Sequence, residues 1–145
     1  MKPVLLYGSE CWRVVQSDMS KIESFHNTCL RKICRIYWPE KISNAELYKK
    51  TNSRSIVIEI KQRRLRWLGH VLRMDQNRTP KVALRWTPPG TRKKGRPKTT
   101  WRRTVTQELE EMELTWGEAE RVAKDRSKWR EVIAAALCPT RDDED

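Results

Sequence analysis

Cationic and aromatic side chains are concentrated in the middle of this 145-residue chain. The stretch from Gln76 to Gln107 has ten basic residues and no acidic one, and it includes Trp86 and Trp101. Cationic side chains attract phosphates, and flat rings stack on nucleotide bases. A block of one charge sign also repels itself unless a polyanion neutralises it. The pattern therefore predicts binding to nucleic acid.

The core of this block is the segment 92–98, with the sequence Arg-Lys-Lys-Gly-Arg-Pro-Lys. Glycine and proline disfavour a helix, so we expect these cations on an extended ribbon that follows a phosphate backbone. One alternative is an AT-hook, which reads the narrow groove of A·T-rich DNA through Gly-Arg-Pro, although Lys94 stands where a full hook has arginine. The other is a solvated linker or a nuclear-import signal.

Besides this segment, two predicted helices each carry a row of cationic residues along one edge. One edge is formed by Arg31, Lys32 and Arg35, and the other by Arg63, Arg66, His70 and Arg73. Facing each other, they would form two walls of a groove, and the alternative is that both are ordinary solvent-facing sides of amphipathic helices. The nucleic-acid-binding candidates are therefore Arg31, Lys32, Arg35, Arg63, Arg66, His70, Arg73, Arg92, Lys93, Lys94, Arg96, Lys98, Arg102 and Arg103.

The sequence does not favour catalysis or a bound metal. Neither histidine has a nucleophile or a carboxylate at a spacing that is typical of a catalytic site. The sequence also has no glycine-rich phosphate loop. The Asp142-Asp143 pair lies in a short acidic tail without a scaffold for two metals. A zinc site built from Cys29, Cys34, His26 and His70 matches no known finger spacing. We predict no catalytic residue, no metal and no cofactor.

The charge is unevenly distributed along the chain. Residues 1–75 carry a net charge of +8, residues 76–107 carry +10, and residues 108–145 carry −6. No apolar run reaches the roughly 18 residues that cross a bilayer, and the first residues do not form a secretory signal. We therefore expect an intracellular protein with no membrane partner and with its four cysteines reduced.

Hydrophobic periodicity predicts an all-α fold. A helix is expected after Ser17, with Ser20 and Glu23 at capping-box spacing, and Pro39 is expected to end it. Its apolar face is predicted to hold Ile22, Phe25, Cys29, Ile33 and Ile36. Further capping boxes at Ser43 and Thr115 open two other helices.

The longest predicted helix covers residues 55–74 and is mostly buried. Lys61 and Arg64 fall on its apolar side, so each must find a partner or extend to solvent. A short helix follows Thr79-Pro80, with threonine as its N-cap. Among the tryptophans, Trp67, Trp101 and Trp129 lie on apolar stripes and are expected in the core.

These patterns divide the chain into four parts. A helical region covers residues 1–86, a basic Pro/Gly linker covers 87–98, a second helical region covers 99–138, and an acidic tail covers 139–145. The linker is expected to act as a hinge between the two helical regions.

Several segments in this order resemble the last part of LINE-type, non-LTR retrotransposon reverse transcriptases. They are Leu6–Trp12 (Leu-Tyr-Gly-Ser-Glu-Cys-Trp), Leu30–Ile33 (Leu-Arg-Lys-Ile), Arg63–Met74 (Arg-Arg-Leu-Arg-Trp-Leu-Gly-His-Val-Leu-Arg-Met), Lys94–Trp101 (Lys-Gly-Arg-Pro-Lys-Thr-Thr-Trp) and Asp125–Arg130 (Asp-Arg-Ser-Lys-Trp-Arg). The resemblance covers nearly the whole chain, and the run through Gly69 and His70 followed by Gly-Arg-Pro is its most specific part.

The resemblance implies a thumb-like helical region and a C-terminal extension that hold element RNA and target DNA during target-primed reverse transcription. It also implies that the polymerase palm and an endonuclease region are partners in the intact family protein. The palm motif Tyr-x-Asp-Asp is absent from this sequence, so we expect no polymerisation by this chain alone. A nuclear location, or a cytoplasmic one as an RNA-bound particle, follows from the same resemblance. A different class of function, a helical interaction module with an import-type basic segment, remains the alternative.

Overall fold

The computed structural model of this chain describes residues 2–87, 89–91, 95 and 100–137. Over these residues the fold is all-α, as the periodicity predicts, and contains no strand. The helices are α1 (Lys2–Leu5), α2 (Gln16–Ile33), α3 (Asn44–Lys50), α4 (Ile56–Leu72), α5 (Thr79–Arg85), α6 (Trp101–Glu111), α7 (Trp116–Lys124) and α8 (Arg126–Leu137), with a 3-10 turn at Ser9–Cys11.

Helix α4 is the central element, and the predicted apolar arc along it is confirmed. Its first two turns bury Ile56 and Ile60 against Leu6 and Met19. Its last turns bury Leu65, Leu68 and Leu72 in the largest core, which is completed by α6, α7 and α8. Because apolar partners pack on both ends of α4, this helix sets the positions of the other helices that contact it.

The largest core joins residues far apart in the chain. Val105 and Leu109 from α6, Ala119 and Ala123 from α7, and Trp129 and Ile133 from α8 all pack on the last turns of α4. Trp129 is buried as predicted, whereas Trp67 and Trp101 are only partly buried. The indole Nε1 of Trp101 donates to the Glu10 carbonyl at 2.8 Å, which fastens α6 to the 3-10 turn.

Helix α2 differs from the sequence prediction at its start. It begins at Gln16, and the predicted capping box at Ser20 is wrong because the Ser20 hydroxyl donates to the Gln16 carbonyl inside the helix. The Asp18 carboxylate instead accepts a hydrogen bond from the backbone of Val15, the N-cap residue. A carboxylate in the first turn satisfies free N–H groups there, which explains the earlier start.

The C-terminus of α2 is set by a Schellman motif and not by Pro39. The backbone N–H of Ile36 donates to the Arg31 carbonyl at 2.9 Å, and Arg35 adopts a left-handed conformation with φ 55°. The helix therefore ends at Ile33 because its last carbonyls are satisfied by this turn. The same motif follows α3 and α6, where Asn52 and Glu113 are the residues in the left-handed conformation.

The apolar face assigned to α2 from the sequence is also wrong in part. The helix buries Met19, His26, Asn27 and Leu30, while Phe25 and Ile33 are exposed. His26 is fully buried beside Tyr48, with ring centroids 6.5 Å apart. Tyr48 in turn donates to Asn27 at 2.8 Å, so the buried face of α2 meets α3 through this polar contact as well as through Leu30 and Leu47.

Two of the other predicted helix starts are confirmed. The capping boxes at Ser43 and Thr115 open α3 and α7. Helix α5 begins one residue earlier than predicted, with Arg78 and not Thr79 as its N-cap residue. Lys81 of α5 is buried and donates to the Leu72 carbonyl at 2.6 Å, where a cation satisfies the C-terminal end of α4.

Several sequence predictions concern residues outside the described part. Most of the segment 87–98 and all of the tail 139–145 lie outside the described residues. The division of the chain into four parts therefore stays a prediction. No helix among the described residues is long and apolar enough to cross a membrane. Among the described residues, no three histidine, cysteine or acidic side chains come together as a group that could hold a metal ion, and this includes Cys29, Cys34, His26 and His70.

Candidate nucleic-acid interface

A cleft lined by arginines lies between α4 and α8. Its volume is about 740 Å³. The residues that line it are Arg66, His70, Arg73, Arg126, Trp129 and Arg130. We call it the arginine cleft. Arg66, His70 and Arg73 lie at spacings of four and three on α4, which places them on one helix side.

The floor of the arginine cleft depends on Gly69 and Trp129. A Cβ atom at position 69 would lie 2.2 Å from the indole Nε1 of Trp129, so only glycine allows this approach. The indole then donates to the Leu65 carbonyl at 3.0 Å. The absence of a side chain at Gly69 thus lets α8 pack closely on α4. Because the two helices meet here, their arginines line the same opening.

The positive charge of the arginine cleft is not neutralised within the part of the chain that the structure describes. No carboxylate there forms an ion pair with Arg66, Arg73, Arg126 or Arg130. The pKa of Arg73 is lowered from its ordinary value, first by partial desolvation and then by the charges of Arg126 and Arg130. Its Nη1 donates to the Ala123 carbonyl at 2.9 Å, which holds the guanidinium in place despite this repulsion. Such an arrangement favours an anion.

A buried ion pair joins α4 to α6 outside the arginine cleft. Arg64 of α4 and Glu108 of α6 are both buried, and Arg64 Nη1 donates to Glu108 Oε1. Lys61 pairs with Glu111 at 2.7 Å. The partners that Lys61 and Arg64 required are therefore found. Burial raises the pKa of Glu108 to about 7, against the opposing influence of Arg64.

Only part of the predicted cationic edge of α4 lines the arginine cleft. Arg63 points away from it, because its Nη1 donates to the Leu6 carbonyl at 3.2 Å. Arg102 and Arg103, in the first turn of α6, are exposed. The Arg102 guanidinium lies 5.6 Å from the ring centroid of Trp116, a cation–π contact outside the cleft. Five candidates, Arg92, Lys93, Lys94, Arg96 and Lys98, lie outside the described residues.

The two predicted walls are not brought together. Glu23 of α2 accepts a hydrogen bond from Ser55 at the start of α4, and Met19 packs on Ile56 and Ile60. The two helices therefore run antiparallel, and the end of α2 extends past the start of α4. Arg31, Lys32 and Arg35 lie at that end, where Arg31 donates to Asn44 at 2.7 Å. The cleft lies at the opposite end of α4.

Sequence reasoning missed Arg126 and Arg130. The acidic composition of the last third of the chain hid them, since that region has a net charge of −6. A signal was present, because Arg126 and Arg130 are four residues apart on either side of the predicted core residue Trp129. Residues at this spacing share a helix side, so a buried Trp129 places both arginines at the edge of the same contact.

The chain is similar to an uncharacterised transposon-derived protein of Caenorhabditis elegans. The two sequences are 25% identical over 142 residues, which cover 90% of this chain and 50% of the relative. This chain thus spans about half the length of the relative it matches. The similarity supports a transposon-related origin. No family model matches the chain, and no solved structure matches it.

Proposed function

We propose that this chain is a nucleic-acid-binding fragment from the C-terminal part of a LINE-type retrotransposon reverse transcriptase. The observation that carries the proposal is the arginine cleft, in which three arginines and His70 surround Arg73 without an ion-paired carboxylate in the described part. The transposon-derived relative supports the origin. RNA, DNA or a hybrid of the two is the proposed partner.

Contacts between the resembling segments give this proposal further support. Arg63 donates to Leu6, Trp101 donates to Glu10, and the indole of Trp129 donates to Leu65. Each hydrogen bond joins two of the segments quoted for the resemblance. Residues that specify one fold are expected to contact each other, so a set of matching segments that pack together is better support than the same matches scattered over the surface.

The cleft would act on phosphates and not on base identity. Guanidinium groups donate paired hydrogen bonds to phosphate oxygens, and each cation that neutralises a phosphate releases a counterion. Binding should therefore be independent of sequence and should weaken steeply as salt rises from roughly 50 to 200 mM. His70 also lines the cleft and adds a further hydrogen-bonding group.

Catalysis is not part of the proposal for this chain. Polymerisation would require metal-binding aspartates of a palm, and the sequence has no Tyr-x-Asp-Asp motif. In the intact family protein the palm and endonuclease regions would carry the chemistry while this part holds the substrate. Incubation with primer, template, nucleotides and magnesium should give no extension, and any incorporation would overturn this part of the proposal.

Replacing Arg126 and Arg130 by alanine tests the cleft directly. Both side chains are exposed, so the fold should be kept. We expect weaker binding to RNA and DNA of any sequence, and a salt-dependence slope that is smaller by about two, one for each lost phosphate contact. Fluorescence anisotropy with a labelled oligonucleotide at several salt concentrations measures both.

The matched control is the double variant Lys124→Ala/Lys128→Ala. It removes the same charge from exposed positions on α7 and α8 that do not line the cleft. It should retain nearly all of the affinity and slope. Equal losses in the two double variants would show that net charge, and not the cleft, determines binding.

The basic segment needs its own test because it lies outside the described residues. Replacing Arg92, Lys93, Lys94, Arg96 and Lys98 by alanine should weaken RNA binding if the segment contacts phosphates. Intact binding combined with lost nuclear entry would favour the alternative of an interaction module with an import signal.

A further inference from the structure

The end of α2 and the turn after it expose an unusual set of apolar side chains. Trp38 is 86% exposed, Ile33 68% and Tyr37 61%. Phe25, two turns back on α2, is 53% exposed. Nothing in the described part of the chain covers them. We call Ile33, Tyr37 and Trp38, with the cations Lys32, Arg35 and Lys41, the aromatic surface.

Local geometry holds the two rings outward. The left-handed conformation of Arg35 reverses the chain, and Ile36 then returns to the core formed by Leu30 and Leu47. Since Ile36 is the buried anchor of this turn, the residues directly after it face solvent. The backbone N–H of Glu40 donates to the Tyr37 carbonyl at 2.9 Å and closes the loop. The rings are therefore displayed by an ordered turn.

The charges around these rings are mostly positive. Lys32, Arg35 and Lys41 are all exposed, and no ion pair engages them within the described residues. Glu40 is the one acidic residue between positions 32 and 41. A partner that is purely apolar would bury these cations without compensation, which is unfavourable. Charge complementarity instead favours an anionic partner with flat apolar faces.

We infer that the aromatic surface binds unpaired bases of single-stranded nucleic acid, with Tyr37 and Trp38 stacking on bases and the three cations contacting phosphates. Single strands offer both features, whereas the bases of a duplex are stacked on each other and present no free faces. This inference rests on the proposed function, and it assigns a second site with a different chemistry, at the other end of the molecule from the arginine cleft.

The test uses the full chain and three labelled probes of equal length: an oligothymidine strand, an abasic phosphodiester strand and a duplex. The double variant Tyr37→Ala/Trp38→Ala should lower affinity for the oligothymidine strand by about tenfold, since stacking on an aromatic ring contributes strongly to single-strand binding. It should leave the affinities for the abasic strand and the duplex nearly unchanged. Circular dichroism checks that the exposed substitutions leave the helices intact.

The matched control is Tyr7→Ala, which removes an exposed ring outside the aromatic surface. It should bind all three probes like the unchanged chain. Equal affinity of the double variant and the unchanged chain for oligothymidine would overturn the inference while leaving the proposed function intact. Failure of the unchanged chain to bind any probe would refute the proposed function itself. A change of oligomeric state in the double variant, seen by sedimentation, would assign the surface to a second copy of the chain and also overturn the inference.

Discussion

The arginine cleft and the aromatic surface lie at opposite ends of α4 and are built in different ways. The cleft joins α4 to α8, whose residues are about 60 positions apart in sequence, as in the hydrogen bond between Trp129 and Leu65. The aromatic surface comes from one continuous stretch, residues 32–41. The cleft has cations but no exposed tryptophan or tyrosine in its lining, while the surface has both rings and cations. One site therefore depends on tertiary packing, and the other depends mainly on how a single helix ends.

The largest expected effect is that of Gly69→Ala, which should disrupt the cleft. The added methyl group would lie 2.2 Å from Nε1 of Trp129 and force α8 away from α4. Overpacking and the loss of the indole hydrogen bond together should reduce the free energy of unfolding by about 3–4 kcal/mol. Urea denaturation followed by tryptophan fluorescence measures this change.

Gly117→Ala is the control for that substitution. Gly117 lies in α7, and a Cβ there would meet nothing within 4 Å. Alanine should stabilise the chain slightly, by up to about 1 kcal/mol, because it favours the helix. Similar destabilisation at both positions would contradict the role of Gly69 as the contact that holds the cleft together.

The next effect concerns the ion pair that joins α4 to α6. The pKa of Glu108 is raised from 4.5 to about 7 in the folded chain, so the folded state binds this proton more tightly than the unfolded state. The stability that the protonated Glu108 carboxyl contributes is present below pH 4.5 and is lost as the pH rises through 7. Glu108→Gln should remove up to about 3 kcal/mol of this pH dependence.

Thermal unfolding at several pH values between 4.5 and 7 measures how the stability of Glu108→Gln and that of the unchanged chain depend on pH. Glu110→Gln, at an exposed position of the same helix, is the control and should follow the unchanged chain. Parallel pH profiles for Glu108→Gln and the unchanged chain would contradict the raised pKa. Because Glu108 is remote from residues 32–41, oligothymidine binding at the aromatic surface should not follow this titration.

The smallest effect on stability is expected at the aromatic surface. Arg35 has φ 55°, a conformation that costs a residue with a side chain about 1 kcal/mol, so Arg35→Gly should stabilise the fold by about that amount. The same variant should bind oligothymidine more weakly because it lacks a cation. Chemical denaturation and anisotropy measure the two effects on one sample.

Glu113→Gly provides the comparison, since Glu113 has φ 56° at the corresponding position after α6. It should gain similar stability without any loss of affinity. A variant at position 35 that lost both stability and affinity would show that Arg35 is a structural residue and would separate it from the proposed site.

The predictable part of the fold is the part that depends on nearby residues. Two capping boxes and the apolar arc of α4 follow from short-range spacing, and all are found in the structure. Spacing also showed that Lys61 and Arg64 needed partners, although it did not identify Glu111 and Glu108. The helix end at Ile33 was missed because a Schellman motif with arginine in the glycine position has no clear sequence signal.

The sequence by itself determined that the chain is helical, strongly basic and built around one long apolar helix. Only the tertiary structure decided which face of α2 is buried, that Arg63 turns toward Leu6, and that Arg126 and Arg130 join Arg66 and Arg73. The physical reason is that helix periodicity fixes which side chains share a face within one helix. Which helix that face meets is chosen by packing between residues distant in the chain, such as Gly69 and Trp129.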